Sequence, residues 1–247
     1  MARRRSLLGP SLFSLAMFLL FLGLGTWQIQ RLHWKEGLIA ARQTAMAAAP
    51  AALPETLDQA RLLEFHRVAV KGTFQHSAEF YLHAIARDGG PGYYVLTPLL
   101  MPDGTFVVIN RGFVPEDDKA PAARSASQLL GEVTVTGLLR VPAAAKPSVF
   151  TPDNDPQGRF WYYVDLAAMA RSAHIDKLLP FYIDADATPN PGGFPLGGQT
   201  VLDLPNDHLQ YALTWYGLAG LMPILYLLLI RRIRRDRREP TDESESL

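Results

Sequence analysis

Two long apolar stretches, one towards each end of the chain, dominate its pattern of hydrophobic and polar positions. Residues 7–24 and 209–230 contain no formally charged side chain, and they are 18 and 22 residues long. A helix of 22 residues is about 33 Å long, which is enough to cross a hydrocarbon core of about 30 Å. The pattern therefore predicts two transmembrane helices, which we assign to residues 7–27 and 208–230.

The first apolar stretch could also be a signal peptide that is cleaved. The apolar core of a signal peptide usually has about 7–15 residues, and small residues at the cleavage site follow it directly. Here Thr26-Trp27-Gln28 follows the stretch, and the alanine-rich residues 45–47 lie too far along the chain. We therefore favour an uncleaved membrane anchor.

Arginines flank both predicted crossings on the sides of the chain termini. Residues 3–5 are all arginine, and six more arginines lie between residues 231 and 238. Because basic flanks stay in the cytoplasm, we expect residues 1–6 and 231–247 to be cytoplasmic and the middle of the chain to lie across the membrane. A bacterial inner membrane with a periplasmic domain is favoured over a mitochondrial membrane, because the start of the chain shows no evident transit peptide.

The middle of the chain is predicted to contain a membrane-proximal helix and linker over residues 28–60, followed by a mainly-β domain over residues 61–207. Residues 42–60, rich in alanine and proline, are interpreted as the linker. Alternating apolar positions between turn residues predict seven strands, at residues 65–74, 79–86, 93–101, 106–114, 133–141, 159–165 and 178–184. A turn at 87–92, a polar loop at 115–128 and a short helix at 166–172 complete the prediction. The fold class is therefore a membrane protein with two transmembrane helices flanking a mainly antiparallel (α+β) external domain, for which closure into a small barrel is one arrangement.

Composition excludes several kinds of function. The chain has no cysteine, and its middle, from Leu32 to Asp207, carries 14 Lys/Arg and 19 Asp/Glu, a formal charge of −5. An acidic middle argues against a nucleic-acid-binding domain. No nucleophile elbow, phosphate-binding glycine loop or His-Glu-x-x-His motif is present, so we predict that the protein is not an enzyme.

His208 is the last ionisable residue before the second crossing. Ala212, Trp215 and Ala219 follow it at offsets of four, seven and eleven, so all four share one helix face. One interpretation is a histidine at the lipid headgroups, next to a helix cap at Asn206 or Asp207. The other is a neutral imidazole that serves as an axial ligand to a haem iron, with the alanines allowing close approach of a flat group or another helix.

Trp27, Arg31 and Trp34 lie on one face where the first helix leaves the membrane. They fit an aromatic belt with a snorkelling base, or a site in which Arg31 binds propionates at the membrane surface. A second arginine, Arg111, lies in a predicted strand that otherwise belongs to the core. It is interpreted either as half of a structural salt bridge or as a group that docks a carboxylate of a ligand or partner.

Three motifs resemble those of the surfeit locus protein 1 family. They are Gly25-x-Trp27-Gln28-x-x-Arg31-x-x-Trp34-Lys35, Asn110-Arg111-Gly112-Phe113-Val114-Pro115 and Asn206-x-His208-Leu209-x-Tyr211-Ala212-x-Thr214-Trp215. The motifs follow the family's order and span both crossings and the domain between them. Phe113 departs from the pattern, since the family more often has tryptophan at that position.

The resemblance implies an assembly factor for haem-copper cytochrome c oxidase that binds haem a or inserts it into the catalytic subunit. It implies that His208 is the ligand to the haem iron. With the residue pattern, it leads us to assign Tyr211, Trp215, Trp27 and Arg31 to cofactor binding. Arg111 and Trp34 are assigned to partner binding. Expected partners are the catalytic subunit of the oxidase, membrane lipid and the haem a synthase.

Three other kinds of protein fit parts of the sequence. A membrane-tethered scaffold would stabilise the oxidase subunit without binding haem. A two-crossing receptor is disfavoured, because only about 17 residues follow the second crossing, too few for a signalling domain. A membrane-tethered hydrolase is disfavoured by the missing nucleophile motif.

Overall fold

The computed structural model describes residues 7–85, 89–200 and 206–236. These residues belong to two units, one formed by residues 1–40 and 203–247 and the other by residues 41–202. The ends expected to be cytoplasmic, residues 1–6 and most of 231–247, lie outside the described residues. So does part of the turn expected at residues 87–92.

The first unit is built from the two apolar helices. Helix α1 covers Leu8–Ala47, and helix α4 covers His208–Asp236. Both are long and apolar enough to cross a membrane. The contacts between them pair Ser11 with Tyr226 and Gln28 with His208, so the two helices run antiparallel.

The segment after the first crossing is more helical than expected. Residues 42–60 were interpreted as a linker, but α1 continues without a break to Ala47, and a short helix α2 covers Leu57–Leu62. Alanine is the strongest helix former, so an alanine-rich segment extends the helix until Pro50 is reached. Thr56 begins α2, because its hydroxyl accepts a hydrogen bond from the amide of Gln59 at 3.3 Å.

Seven strands form the sheet of the second unit. They are β1 (Arg67–Phe74), β2 (Phe80–Ile85), β3 (Pro91–Leu100), β4 (Phe106–Pro115), β5 (Glu132–Arg140), β6 (Phe160–Trp161) and β7 (Leu178–Ala185). Their order is β1-β5-β7-β4-β3-β2-β6, and β1 also pairs with β3. Five strands therefore close into a small barrel, with β2 and β6 continuing outward from β3. The predicted fold class is confirmed, with parallel pairing of β4 with β7 and of β2 with β6 in an otherwise antiparallel sheet.

The barrel closes where β1 meets β3. Strand β1 alternates between buried and more exposed residues, with Val68, Val70 and Phe74 among those facing the core. At the closure, a Cβ on Gly72 would lie 2.4 Å from the carbonyl oxygen of Leu100. Only glycine allows the two backbones to approach this closely.

A second apolar layer covers the outer side of the barrel. Helix α3 (Leu166–Ala173) buries Leu166 and Met169, which belong to the same core cluster as Phe80 and Trp161. Asp165 caps this helix by accepting a hydrogen bond from the amide of Ala168 at 2.9 Å. The helix expected at residues 166–172 is therefore confirmed.

Two predictions in this unit were wrong in detail. The strand expected at residues 159–165 pairs only at Phe160–Trp161, because the side chain of Asn154 binds the backbone of Tyr162 and Tyr163 instead. The polar loop expected at residues 115–128 contains two 3₁₀ turns and buries Arg124. Because the segment is polar in composition, its sequence gave no indication that Arg124 is buried.

Candidate functional site

The imidazole of His208 contacts helix α1 through a hydrogen bond. Its Nδ1 lies 2.6 Å from Oε1 of Gln28, and Gln28 is one of the two buried residues of α1. A carboxamide oxygen can only accept a hydrogen bond, so Nδ1 carries the proton. In a neutral ring Nε2 is then the nitrogen with the lone pair, and it has no hydrogen-bond partner among the described residues.

Small residues bring the two helices together below this contact. Ala212 and Ala219 are buried in the helix pair. On the other helix, a Cβ at Gly25 would lie 2.7 Å from the ring of Tyr216. The alanine face of α4 is therefore covered by a helix, and it is not open to a flat ligand.

Trp215 and Tyr211 have different surroundings. Trp215 stacks on Phe21 of α1, with ring centroids 5.7 Å apart and an angle of 24° between the ring planes. Tyr211 is exposed. Trp215 thus contributes to the wall of the helix pair near His208, whereas Tyr211 presents a free ring one turn from the histidine.

The remaining residues predicted at the end of the first crossing face outward. The guanidinium carbon of Arg31 lies 4.4 Å from the centroid of the Trp34 ring, a cation–π contact. Trp27 and Trp34 are 50% and 56% exposed. Their assigned roles in cofactor and partner binding stay predictions.

Arg111 lies in the interior of the second unit, with 2% of its surface exposed. Its Nη1 donates to Oε1 of Glu79 at 3.3 Å, and its Nη2 donates to the carbonyl of Ser127 and, at 3.4 Å, to Oδ1 of Asn190. Arg124 donates to Oε2 of Glu79 at 2.5 Å. The salt bridge that was one of the two interpretations of Arg111 is present, and burial leaves little guanidinium surface for docking a partner.

Two arginines share one carboxylate in this cluster. Burial raises the pKa of the Glu79 carboxyl, but hydrogen bonds from His76 and Arg124 and the charges of both arginines outweigh it and bring the pKa to about 2. Burial lowers the pKa of Arg111 to about 10, with the charge of Glu79 opposing the change and that of Arg124 adding to it. Glu79 and Arg111 are therefore both ionised at neutral pH.

Reasoning from the sequence missed three residues. Gln28 was noted as unusual in a membrane anchor but was given no role, although a polar residue at the end of an apolar helix is the signal that could have identified it. Glu79 and Arg124 carried no signal, because nothing in their local sequence indicates burial. Among the described residues, no group of three or more His, Cys, Asp or Glu could hold a metal ion.

The helix pair, its bonded histidine and the barrel define a class of membrane protein with two apolar helices and one β-barrel domain. The SURF1 family model matches residues 15–220. Surfeit locus protein 1 of Rattus norvegicus is 41% identical over 232 residues, which cover 86% of this chain and 74% of the rat protein. The human protein is 40% identical over 220 residues, covering 83% and 72%, and the SURF1-like protein of Drosophila melanogaster is 34% identical over 230 residues, covering 85% and 74%.

The chain belongs to the SURF1 family, a family of cytochrome c oxidase assembly factors. The resemblance expected from the three motifs is confirmed.

Proposed function

We propose that this protein binds haem a through His208 and helps to insert it into the catalytic subunit of a haem-copper cytochrome c oxidase. The observation that carries the proposal is the hydrogen bond from Nδ1 of His208 to Gln28 at 2.6 Å. In a neutral ring this bond favours the tautomer in which Nε2 has a lone pair, and a ligating histidine commonly donates its other N–H in this way. Family membership supports the role in oxidase assembly.

The side chains around His208 fit such a ligand. Tyr211 follows the histidine by three residues and presents exposed aromatic surface to a flat, apolar group. Trp215, seven residues after the histidine, stacks on Phe21 and would form the wall beside that group. Arg31 is exposed at the end of the first crossing and would pair with a propionate carboxylate, and Trp27 would add aromatic surface at the helix end. When bound, haem would supply an iron that accepts the imidazole as an axial ligand.

We further propose that the protein crosses a bacterial inner membrane twice, with both termini in the cytoplasm and the barrel in the periplasm. Nine arginines flank the two apolar stretches, residues 7–24 and 209–230, on the terminal sides, and such flanks stay in the cytoplasm. Trp34, which is exposed, would contact lipid or the oxidase subunit. The haem a synthase would be the source of the haem.

The test is an absorption spectrum of the protein purified from cells that make haem a. The wild type is expected to carry haem, and His208→Ala is expected to lose it. His33→Ala removes an exposed histidine of α1 and serves as the matched control, with an unchanged spectrum expected. A wild type without haem, or a His208→Ala sample with the wild-type spectrum, would contradict the proposal.

A scaffold that never binds haem is the second candidate. Val149 and Phe150, adjacent in the second unit, are 87% and 92% exposed, so their apolar side chains are available for contact with a partner protein. A scaffold predicts that the oxidase subunit co-purifies with the protein and assembles normally in the His208→Ala strain. Loss of assembly in that strain would favour the haem-binding function.

A further inference from the structure

We infer that Gln28 is the positioning residue of the His208 ligand. Its carboxamide oxygen accepts a hydrogen bond from the Nδ1–H group and thereby selects the tautomer whose Nε2 can bind iron. The inference rests on the proposed function and deepens it. It attributes the affinity of the His208 ring for iron in part to Gln28, a residue of the other helix.

The location of Gln28 shows why the contact persists. It is 9% exposed and follows Gly25, the other buried residue of α1, by three positions, so both face α4. A buried carboxamide in an apolar helix is costly unless it has a hydrogen-bond partner. The imidazole supplies that partner, so each polar group satisfies the other, and their bond is also a contact that holds the helix pair together.

The hydrogen bond has a chemical consequence for the ring. An imidazole that donates from Nδ1 is a more basic ligand at Nε2. Gln28 belongs to α1 and His208 to α4. The basicity of Nε2 is therefore highest only while the two helices are paired at this level. Without the acceptor, the Nδ1 proton would be free to move to Nε2, and a protonated nitrogen cannot ligate iron.

The first test uses the full-length chain without haem. With 15N-labelled histidine in detergent micelles, NMR reports which ring nitrogen of His208 carries the proton. The wild type is expected to show it on Nδ1, and Gln28→Leu is expected to show a mixture of the two tautomers. A wild-type ring protonated on Nε2, or a Gln28→Leu spectrum equal to that of the wild type, would overturn the inference whether or not the protein binds haem.

The second test uses the haem-loaded protein. Loss of a partner behind a metal ligand typically costs 10- to 100-fold in affinity, so Gln28→Leu is expected to weaken haem binding by about that factor. Gln30→Leu makes the same change at an exposed position of the same helix and is expected to change affinity less than about twofold. Gln28→Glu offers a stronger acceptor, so its haem should have a lower reduction potential than the wild type, whereas that of Gln28→Leu should be higher.

Reduction potentials that change in opposite directions in Gln28→Glu and Gln28→Leu would show that Gln28 positions the ligand. If Gln28 had only a structural role, both potentials would change in the same direction or neither would change. If the wild type binds haem and both Gln28 variants keep its affinity and potential, the inference fails and the proposed function stands. If the wild type binds no haem, the proposed function fails, and the tautomer result alone decides whether Gln28 fixes the ring.

Discussion

Replacing Glu79 by glutamine removes one negative charge from the buried cluster that holds Arg111 and Arg124. The side chain keeps its size, but the two guanidinium groups lose their only carboxylate partner among the described residues. Breaking a buried ion pair by neutralising one member is strongly destabilising, since the remaining charge stays buried without compensation. We expect this substitution to destabilise the second unit.

The magnitude follows from the pKa of Glu79. That pKa is about 2 in the folded chain, against an ordinary value of 4.5, and each pKa unit corresponds to about 1.4 kcal/mol. Ionised Glu79 therefore contributes about 3 kcal/mol to the free energy of unfolding. Because the folded-state pKa is lowered, this contribution is present above about pH 4.5 and is lost as the pH falls towards 2.

The assay is urea unfolding of the full-length chain, followed by the fluorescence of buried Trp161 in a background where the other three tryptophans are phenylalanine. Glu79→Gln should lower the free energy of unfolding by about 3 kcal/mol at pH 7. The difference from the wild type should shrink steadily between pH 5 and pH 2. Glu132→Gln makes the same change in an exposed pair with Lys71, for which about 1 kcal/mol or less is expected.

Two results would refute this reasoning. A loss for Glu79→Gln as small as that for Glu132→Gln would show that the cluster does not stabilise the fold through charge. If Glu79→Gln instead lowers the free energy of unfolding by the same amount at every pH down to 2, the side chain acts through its shape and packing and not through its ionisation.

Two further predictions concern the helices. Gly25→Val should separate α1 from α4, because its Cβ would lie 2.7 Å from a ring atom of the facing helix. Cross-linking of cysteines introduced at Ser11 and Tyr226 by a bifunctional thiol reagent should then fall at least about tenfold, a loss of about 1.4 kcal/mol in pairing. Gly23→Val, which meets nothing within 4 Å, should leave the cross-linking unchanged, and equal cross-linking in both variants would contradict the packing. Ser148→Cys, placed in an exposed loop of a chain without native cysteine, should react with a membrane-impermeant thiol reagent in cells whose inner membrane is intact, and labelling only after that membrane is opened would contradict the proposed orientation.

Local patterns predicted most of the secondary structure, because each depends on neighbouring residues. Apolar stretches of 18 and 22 residues indicate helices by length alone, and the alternation of Val68 and Val70 indicates a strand facing the core. The closure of the barrel was harder to predict from the sequence, because it depends on the close approach of two backbones at Gly72, between strands that are far apart in the chain.

The polar contacts of the interior could not be predicted, for the same physical reason. Glu79 and Arg124 are 45 residues apart, and His208 and Gln28 are 180 residues apart. No periodicity links such positions, and the burial that makes the contacts necessary appears only when the chain has folded. Arg111 was recognised because it interrupts an apolar strand, whereas Arg124 lies in a polar segment where an arginine attracts no notice.

Arg111 and His208 were both identified as polar groups in apolar surroundings, and the structure distinguishes them by what their polar atoms contact. Arg111 donates to a carboxylate, a backbone carbonyl and a side-chain amide, and it is 2% exposed. A guanidinium engaged in this way stabilises the fold and offers little to a ligand. His208 is partly exposed and uses only one ring nitrogen, so its bond to Gln28 orients the ring and leaves the other nitrogen available. An unused ring nitrogen on an oriented side chain, more than burial or charge, therefore makes His208 the residue at which we expect this protein to act.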